Sequence, residues 1–372
     1  MRFAPTEDQL AFRDAVREPL AKGWPALAEL GLFGALVPAS QGGLGLAETD
    51  LVAVLEEIGA AALEAPVTAT AFVAAPLLAA LLHDPVRSVD RPSVNAATRS
   101  VDRPNESGSL GSVDRPNESA SSRSVDRPSD TAFPESVDRP NSPAADPAWI
   151  AATLDGVVSG RIQIALAGPG GLVPFGEGAD LVLHLGENEA RLSDGAGAPV
   201  ATVDPALHAA RAAGGDVLTT DPGLLATARR RAGIAYAAEL VGLGRRMVEL
   251  TVEYVKQRHQ FGVPVGSFQA VKHQLADAAL GIEFARPVVL AAAWAAEHDT
   301  DAETAVDAAV VQAAEAAHAA SRAAIQCHGA IGYTVEYELH RYAKRAWAIE
   351  ALGDTGARLD RIAAALHLQE TQ

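Results

Sequence analysis

Three stretches in the second half of the sequence carry polar side chains that packing alone does not require. The first is RHQFG at residues 258–262, with Gln269 shortly after it. An arginine at a helix end and an amide early in the next helix bring hydrogen-bond donors to a helix N-terminus, which suits a phosphate or another anion. Alternatively, Arg258 extends along its own helix and interacts with the helix dipole. Spacing alone leaves both interpretations open.

The second stretch is QCHGAIG at residues 326–332. Two glycines after a helix usually form its left-handed C-terminal cap, but they also let a backbone approach a phosphate closely. Both interpretations stay open for Gly329 and Gly332. We interpret His328 as a packed or surface residue rather than a catalyst.

The third stretch is AWAIEALG at residues 346–353, which places Glu350 beside a tryptophan and aliphatic residues. Burial among such neighbours disfavours a charged carboxylate, which is how a general base is tuned toward neutral pH. The alternative is a solvated glutamate on the outer face of a helix.

These stretches lie at the ends of predicted helices. A helix predicted over 224–259 carries an apolar stripe whose next step of four reaches Arg258. The stripe comprises Leu240, Leu243, Met247, Thr251 and Tyr254. Ser267 is predicted to cap the following helix, and two more helices are predicted over 302–327 and 336–352. Four long helices joined by short turns predict a C-terminal helical bundle domain over residues 221–372.

The rest of the chain divides into two smaller predicted domains. Residues 1–85 are predicted to form an N-terminal helical domain that opens with a capping box, Thr6 with Gln9. Residues 148–220 hold short apolar runs separated by glycines, which predict a reduced β domain. Its strands are expected near 162–166, 181–185 and 217–218. The predicted fold class is therefore mainly α with a small β domain: a helical N-terminal domain, a reduced β-sheet domain and a C-terminal four-helix bundle.

A repeat separates these domains. The pentapeptide SVDRP begins at Ser88, Ser100, Ser112, Ser124 and Ser136, a strict period of twelve residues. Each unit offers one valine among polar residues and carries a proline, so it can neither offset its ordering entropy nor continue a helix. We predict a disordered insertion over residues 86–147; the alternative is a multivalent binding tail.

Composition argues against several function classes. The formal charge of −17 argues against nucleic acid binding, and the single cysteine, Cys327, excludes an internal disulfide. The sequence contains neither HExxH nor a comparable spacing of ligands, so we expect no metal site. The N-terminus shows no signal-peptide pattern, so we expect a cytoplasmic protein. The uncharged stretch 65–83 approaches the length of a membrane span, but its prolines favour a buried helix pair, and we expect no membrane association.

Together, these motifs resemble the acyl-CoA dehydrogenase family. RHQFGVPVGSFQ at 258–269 is similar to the family's pattern of Arg-x-x-Phe-Gly, six residues and Gln. QCHGAIGY at 326–333 is similar to its Gln-x-x-Gly-Gly-x-Gly-[Tyr/Phe] motif, and LAELGLFGALVPASQGGLG from residue 27 onward resembles its N-terminal domain. The resemblance covers about residues 5–82 and 155–368, and only the repeat lies wholly outside it.

The resemblance implies an FAD-dependent enzyme of fatty acid or steroid side-chain catabolism. In the family, a base removes the α-proton of an acyl-CoA thioester while the β-hydride passes to flavin N5. The residues that contact the FAD of a neighbouring subunit, in a dimer or tetramer, correspond here to Arg258, Phe261, Gln269, Gln326, Gly329 and Gly332. The implied base is Glu350, and the implied electron acceptor is an electron-transfer flavoprotein.

Two departures from the family pattern leave three hypotheses. Glu350 keeps the base position of one branch, but Ala351 and Leu352 stand where that branch has Gly-Thr, and the base position of the other branch is Ala232. Residues 148–220 lack the family's Thr-Glu-Pro-x-x-Gly-Ser-Asp flavin loop. The chain is then a self-sufficient acyl-CoA dehydrogenase, the degenerate partner subunit of an actinobacterial α2β2 enzyme that completes FAD sites across an interface, or a non-enzymatic, decayed helical protein.

Overall fold

The computed structural model describes residues 5–83, 146–195, 197–212, 214–298 and 302–368. Helices dominate and the larger sheet is confined to one region, so the predicted fold class, mainly α with a small β domain, is confirmed. Nearly all of the predicted insertion, 86–147, lies outside the described residues. Its last two residues, Asp146 and Pro147, begin a helix instead.

A cluster of helices forms the N-terminal part of the fold. They are α1 (Glu7–Lys22), α2 (Trp24–Glu29), α3 (Glu48–Ala61), α4 (Ala75–His83) and α5 (Pro147–Val158). The predicted capping box is confirmed, because Gln9 N–H donates to Thr6 Oγ1 (3.3 Å) and Thr6 N–H donates to Gln9 Oε1 (2.9 Å). The predicted helix pair over 65–83 is wrong in detail: a buried π-helical segment, Ala69–Ala74, runs directly into α4.

Helix α5 is absent from the sequence-based prediction. Its apolar residues recur at helical spacing and are buried: Trp149, Ile150, Leu154 and Val157. α5 packs against α4. The helical cluster therefore continues after the insertion, so the first part of the range 148–220 predicted for the β domain is helical.

The β region is small. Its strands are β1 (Ile164–Ala167), β2 (Leu172–Val173), β3 (Leu181–Leu185), β4 (Ala190–Asp194), β5 (Ala210–Arg211) and β6 (Asp216–Thr219). Four of them form one sheet in the order β1-β3-β4-β6, with β1 parallel to β3 and the other neighbours antiparallel, while β2 and β5 pair separately. The three predicted runs correspond to β1, β3 and β6. The short strand β4 alternates buried and more exposed residues and was not predicted.

The π-helical segment is tied to β1 through one side chain. Thr70 Oγ1 donates to the carbonyl of Ile164 (2.9 Å) and accepts from the N–H of Ile164 (3.0 Å). Both residues are buried. Thr70 therefore satisfies both backbone polar groups of Ile164, which burial would otherwise leave unpaired.

The C-terminal part is a bundle of long helices. It comprises α6 (Pro222–Gln257), α7 (Gln269–His298), α8 (Glu303–His328), α9 (Leu339–Gly353) and a further short helix, α10 (Thr355–Ala365). The first four agree with the predicted helices to within a few residues, and α10 was not predicted. The predicted cap at Ser267 is wrong: its Oγ donates to the carbonyl of Pro264 (2.7 Å) inside a 3-10 turn.

Helices α3 and α6 approach each other closely through glycines. A Cβ atom on Gly242 would overlap the carbonyl oxygen of Glu56, and a Cβ atom on Gly59 would overlap that of Glu239. Beside this contact, Glu57 accepts from Arg17 of α1 (3.0 Å) and from Arg245 of α6 (2.9 Å). The N-terminal helices are thereby fixed against the bundle.

Helix α7 is long and apolar enough to cross a membrane by length and composition. It packs against α6 and α8 within the bundle. A core helix of a globular bundle passes the same test, so this feature assigns no membrane role.

Candidate functional site

Three helix ends meet at one end of the bundle. The ring of Tyr254, near the end of α6, stacks on the ring of His328 at the end of α8, with 4.2 Å between the centroids. Cys327 Sγ lies 3.7 Å from Gln274 Oε1, in the second turn of α7. The motifs at 258–269 and 326–332 are therefore brought together, although they lie far apart in the sequence.

A small hairpin joins α6 to α7. Strands β7 (His259–Gln260) and β8 (Val263–Pro264) pair around Phe261 and Gly262, which both have positive φ angles (53° and 83°). Such a pair of left-handed residues makes the tight turn that two-residue hairpins favour. Phe261 is 93% exposed. A large ring held in solvent on a disfavoured backbone is a feature typical of a binding site.

The polar side chains predicted to bind the cofactor are exposed and unpaired at this end. Arg258 caps α6 with its backbone, since its N–H donates to the Tyr254 carbonyl (2.9 Å) and its carbonyl accepts from Val265 N–H (2.7 Å). Its guanidinium makes no hydrogen bond or ion pair with any described residue. The amides of Gln269 and Gln326 are likewise exposed and without a partner in the described part of the chain.

Exposed apolar side chains lie in the same two motifs as these polar groups. We define the bundle-end surface by its exposed residues: Arg258, Phe261, Phe268, Gln269, Gln326, Ile331 and Tyr333. Phe261 and Phe268 meet edge to face, with 6.3 Å between centroids. A cation and two amides within exposed aromatic and aliphatic residues are typical of a surface that binds a partner with an anionic and an aromatic part.

The two motif glycines have different surroundings. Gly329 is exposed, has a φ of 69° and would have open space around a Cβ atom. Its backbone is therefore open to a ligand. Gly332 is buried, and a Cβ atom there would lie 2.9 Å from the Cβ atom of His328. Gly332 thus serves helix packing in this structure and presents no surface for the cofactor contact that the resemblance implies.

His328 is buried, in agreement with its interpretation as a packed residue. Its ring lies 4.2 Å from the ring of Tyr254 and 4.9 Å from the ring of Tyr337, and its Nδ1 lies 2.8 Å from the carbonyl oxygen of Ala324. Burial lowers the pKa of His328 below its ordinary value. The neutral imidazole is therefore a packing element.

Of the two environments considered for Glu350, the structure has the solvated one. Its carboxylate is half-buried and lies 3.1 Å from Nδ1 of His318, in an open cleft that α7 and α8 also line. It therefore has a polar partner and access to solvent. Residues 345, 349 and 352 of α9 face the interior, whereas Glu350 projects from another side of the helix. Its role as the base stays a prediction.

The interior side of α9 borders an apolar cavity of about 60 Å³. The end of α3, the segment 62–69, α6 and α9 form its walls. Its polar lining residues are Thr68, Tyr236, Glu239 and Arg345. Thr68 Oγ1 donates a very short hydrogen bond to Glu239 Oε1. Burial raises the pKa of Glu239, while the hydrogen bond from Thr68 and the charge of Arg345 lower it.

Sequence reasoning missed Glu239. The available signal was a single carboxylate within the apolar run from Ile234 to Leu243. Glu239 lies on the same face of α6 as Ala232 and Tyr236, since steps of four and three residues separate them. All three line the cavity.

The charge of Arg345 is engaged elsewhere. Its guanidinium donates to Asp204 Oδ2 (2.5 Å) and to the carbonyl of Leu63 (2.7 Å), and all but about 5% of its side chain is buried. It also lies over the ring of Phe175, 5.1 Å from the centroid. This buried pair connects α9 to the β region and to the N-terminal helices.

A larger cleft of about 520 Å³ lies between the β region and the bundle, and adjoins the cavity at Leu166, Ala232, Tyr236 and Leu352. All four arginines on its walls already have partners; Arg230 donates to Thr227 Oγ1 (3.3 Å). Arg358 and Arg361 donate to the buried carboxylate of Asp307 (2.5 and 2.7 Å), and Arg229 donates to the carbonyl of Gly186 (2.9 Å). Of the described arginines in this cleft and on the bundle-end surface, Arg258 is therefore better placed to bind an external anion, because its guanidinium has no described partner. Nowhere do three His, Cys, Asp or Glu residues of the described ranges converge as metal ligands.

Two family models match the chain. The model described as "Acyl-CoA dehydrogenase, C-terminal domain" matches residues 226–367, and the model "Acyl-CoA dehydrogenase, N-terminal domain" matches residues 4–83. Together they cover more than half of the chain and leave out the repeat. Both matches include motifs on which the resemblance was based.

Curated relatives match part of the chain. "Acyl-CoA dehydrogenase IpdE2" of Mycobacterium tuberculosis is 45% identical over 150 residues, which are 40% of this chain and 44% of that protein. The rat protein "Short-chain specific acyl-CoA dehydrogenase, mitochondrial" is 33% identical over 135 residues, 36% of this chain and 32% of that protein. The alignments thus span less than half the length of these relatives.

Solved structures share the fold over nearly the whole chain. The ChsE4-ChsE5 complex from Mycobacterium tuberculosis contains a chain that superposes with a TM-score of 0.69 at 22% identity, covering 100% of both chains. The FAD complex of PigA gives a TM-score of 0.68 at 16% identity, again covering 100% of both chains. At these identities the likeness concerns the fold.

Proposed function

The chain belongs to the acyl-CoA dehydrogenase family, and from that premise we propose that it is a subunit of an FAD-dependent enzyme that introduces an α,β double bond into an acyl-CoA thioester. When bound, the flavin takes up the hydride that leaves the β-carbon. The chain's own contributions are to bind the cofactor's diphosphate, to enclose the acyl group in an apolar space and to hold a base near the α-carbon.

The bundle-end surface is the observation that carries this proposal. Arg258 keeps a guanidinium free of described partners, beside two unpaired amides and the open backbone of Gly329. A free guanidinium binds a diphosphate through charge-assisted hydrogen bonds, and exposed aromatic rings provide apolar contacts. The residues present therefore fit a flavin nucleotide. Because they all point outward, we assign them to a cofactor held mainly by a neighbouring subunit.

We favour a partner subunit of a different sequence over a second copy of this chain, because the arginines of its cleft differ from Arg258 in their partners. The chain's own cleft has arginines that are engaged by Asp307 and by a backbone carbonyl, whereas Arg258 is not engaged. The chain thus offers a better contact to a neighbour's cofactor than to its own. The ChsE4-ChsE5 neighbour is itself a complex of two chains, which agrees with this arrangement.

Flavin retention tests the proposal. The chain is purified alone and after co-expression with a candidate second subunit, and flavin absorbance is measured in each preparation. A yellow preparation of the chain alone supports the self-sufficient enzyme, and colour only with the second subunit supports the partner role. In the coloured preparation, Arg258→Ala should weaken flavin binding by about 10- to 100-fold, the worth of a hydrogen bond to a charged group.

Arg161→Ala is the matched control. Arg161 is an exposed arginine that follows α5, and its guanidinium lies 2.5 Å from the carboxylate of Asp155 in that helix. It should leave flavin binding unchanged. No flavin in either preparation would leave the non-enzymatic hypothesis. Equal flavin binding in Arg258→Ala and the unmodified chain would remove the bundle-end surface from the cofactor site.

By position in the family pattern, Glu350 is a candidate for the base, and Glu350→Gln tests it by turnover of acyl-CoA. The proposed reoxidant is an electron-transfer flavoprotein, and the proposed location is the cytoplasm. The acyl-CoA substrate is proposed from membership of the family.

A further inference from the structure

The outward side of α7 carries an apolar stripe. Residues at steps of four, three, four and three along it are Leu280, Phe284, Pro287, Ala291 and Trp294, which we call the α7 stripe. Leu280, Phe284 and Trp294 are 52%, 66% and 41% exposed. A surface helix normally carries charged and polar residues on the side that faces solvent. An apolar stripe in their place is typical of a surface that another molecule covers.

The spacing of the α7 stripe indicates which kind of element fits it. Alternating steps of four and three are those of the a and d positions of a heptad, the seam through which two helices pack side by side. The opposite side of α7 packs against α6 and α8 and buries Leu275, Ile282 and Val289. The large residues of the stripe stay exposed, so no helix of the described ranges covers them. The stripe therefore fits a helix of another molecule.

We propose that the α7 stripe binds the α7 stripe of a second copy of this chain, with the two helices antiparallel. In such a two-fold contact the same surface serves both partners, so it must be complementary to itself. Two helices that cross between residues 287 and 288 place Phe284 of each copy beside Ala291 of the other. A bulky residue then meets a small one on both sides of the axis, as close packing requires.

The polar residues at the two ends of the stripe favour the antiparallel arrangement. Asp277 precedes the stripe by three residues and His298 follows it by four, so both lie on the same side of α7. Asp277 is exposed and makes no hydrogen bond or ion pair with any described residue, and His298 is half exposed. The antiparallel crossing brings Asp277 of each copy beside His298 of the other. A parallel pair would place the two Asp277 carboxylates together, where they would repel.

A lipid surface fits the stripe less well. Helices that lie on membranes carry Lys and Arg on their polar side, and anionic lipids attract basic proteins. This chain has a formal net charge of −17. Beside the stripe, the exposed carboxylate of Glu283 pairs with Arg286 (2.6 Å), so no excess of positive charge accompanies the apolar residues.

The stripe is also separate from the surface assigned to the flavin-bearing neighbour. Phe268, on the bundle-end surface, lies just before α7 begins, and Phe284 lies about 24 Å further along the helix, 16 residues at 1.5 Å each. A second copy on the stripe therefore leaves the bundle-end surface open to a subunit of a different sequence. The two contacts together join two copies of each subunit.

The association state of the flavin-free chain tests the proposal. Sedimentation velocity over about 1–100 µM should show a dimer of the unmodified chain. Phe284→Glu places a carboxylate in the middle of the stripe and should weaken association by about 30-fold or more, the usual weight of a central interface residue. Because Phe284 is exposed, the fold should tolerate this change, and thermal unfolding checks it.

Phe261→Glu is the matched control, since it introduces the same charge at an exposed phenylalanine of the bundle-end surface. It should leave the dimer unchanged. A dimer that Phe261→Glu dissociates and Phe284→Glu leaves intact would move the contact to the bundle-end surface and overturn the proposal.

Disulfide cross-linking tests the antiparallel arrangement. A chain with both Asp277→Cys and His298→Cys should form a covalent dimer under mild oxidation. About 32 Å separate the two positions along one helix, far beyond the reach of a disulfide, so the link can form only between chains. Each single variant should stay unlinked, because its two new thiols lie at opposite ends of the pair. The unmodified chain, whose single cysteine is Cys327, gives the background.

The remaining outcomes distinguish the possible occupants of the stripe. A monomer at every concentration overturns the proposal, as does a link formed by the Asp277→Cys variant alone. A monomer that binds liposomes only while Phe284 is present would assign the stripe to a lipid surface. A monomer that binds a second subunit only while Phe284 is present would assign it to a partner of a different sequence. Since none of these measurements involves flavin, a colourless preparation overturns the proposed function and leaves the dimer standing.

Discussion

His328 shows how one titratable side chain can serve packing. Its ring lies between Tyr254 and Tyr337, and burial lowers its pKa below the ordinary value of 6.5. In the unfolded chain the imidazole binds a proton near that ordinary value, while in the folded chain it does so only at lower pH. Between the two pKa values the unfolded state holds more protons, so the free energy of unfolding decreases as the pH falls through this range.

We predict that His328→Phe reduces this dependence. The phenyl ring keeps the stacking and has no proton to bind, so the stability difference between about pH 7.5 and about pH 5.5 should shrink by on the order of 1 kcal/mol. Urea unfolding at the two pH values measures it. His184 and His340 also have lowered pKa values through burial, so part of the dependence should remain.

His298→Phe provides the comparison, because His298 also stacks on an aromatic ring, that of Trp294 (4.5 Å), but is half exposed. An equal change in both variants would assign the effect to altered stacking rather than to proton binding.

The amino-acid sequence predicted the roles of individual residues to different degrees. The sequence predicted Arg258 near the end of α6, but it lies just beyond the helix as an exposed cap with extended backbone (ψ 122°), so the apolar stripe does not fix the direction of its side chain. The sequence left both environments of Glu350 open, because two helical faces are available beside Trp347 and only packing decides which of them turns inward. Glu239 was missed, since a lone carboxylate in an apolar helix becomes informative only when the opposite wall of the cavity, at Thr68, is known.

At the scale of elements, the contact between α3 and α6 depends on the absence of side chains. A Cβ atom at Gly242 would overlap a backbone oxygen of α3, which cannot rotate away as a side chain would. We predict that Gly242→Ala destabilises the fold by about 1–3 kcal/mol, the usual cost of overpacking a core. Denaturant unfolding measures this change.

Gly281→Ala is the control for helix propensity. Gly281 lies in α7, and a Cβ atom there would make an ordinary contact with Ala316 at 3.7 Å. This variant should gain about 0.5–1 kcal/mol, since alanine favours a helix over glycine. A stabilising effect of both substitutions would show that α3 and α6 can separate without cost.

The elements that were hard to predict are short or lie next to irregular sequence. Helices α6 to α9 are long enough for their apolar spacing to fix them. Strand β4 has five residues, a single residue separates α10 from α9, and α5 follows directly on the proline-containing repeat. The pattern of β4 is too brief to define a period, α10 has no buried residues that would mark an inner face, and the helical spacing of α5 is overlooked beside the repeat.

At the scale of the whole molecule, the repeat is inserted between two helices that pack against each other. α4 ends at His83 and α5 begins at Pro147, and the two helices pack against each other. We predict that replacing residues 86–145 by a short Gly/Ser linker leaves flavin binding intact. Shortening a loop tenfold gains at most about 2 kcal/mol of closure entropy. Thermal unfolding and flavin absorbance of the deletion variant check this.

A deletion variant that fails to fold, or that loses flavin, would show that the repeat takes part in the enzyme. Sequence reasoning separated the repeat from the domains because its period and composition differ so strongly from theirs. The proposal of an assembly with a neighbour rests on the family resemblance, because exposure of Arg258 and Phe261 has no signature in a single sequence.

The hydroxyl of Thr70 also affects whether a strand of another molecule can pair with the edge of the sheet. Strand β1 is the outermost strand of its sheet, and an outer strand with free backbone groups is a template onto which strands of other molecules can add. By engaging both polar groups of Ile164, Thr70 blocks that position with a helix instead of a further strand. The same hydroxyl that aligns the helix bearing it with β1 thus also closes the sheet at Ile164, where a further strand could otherwise pair.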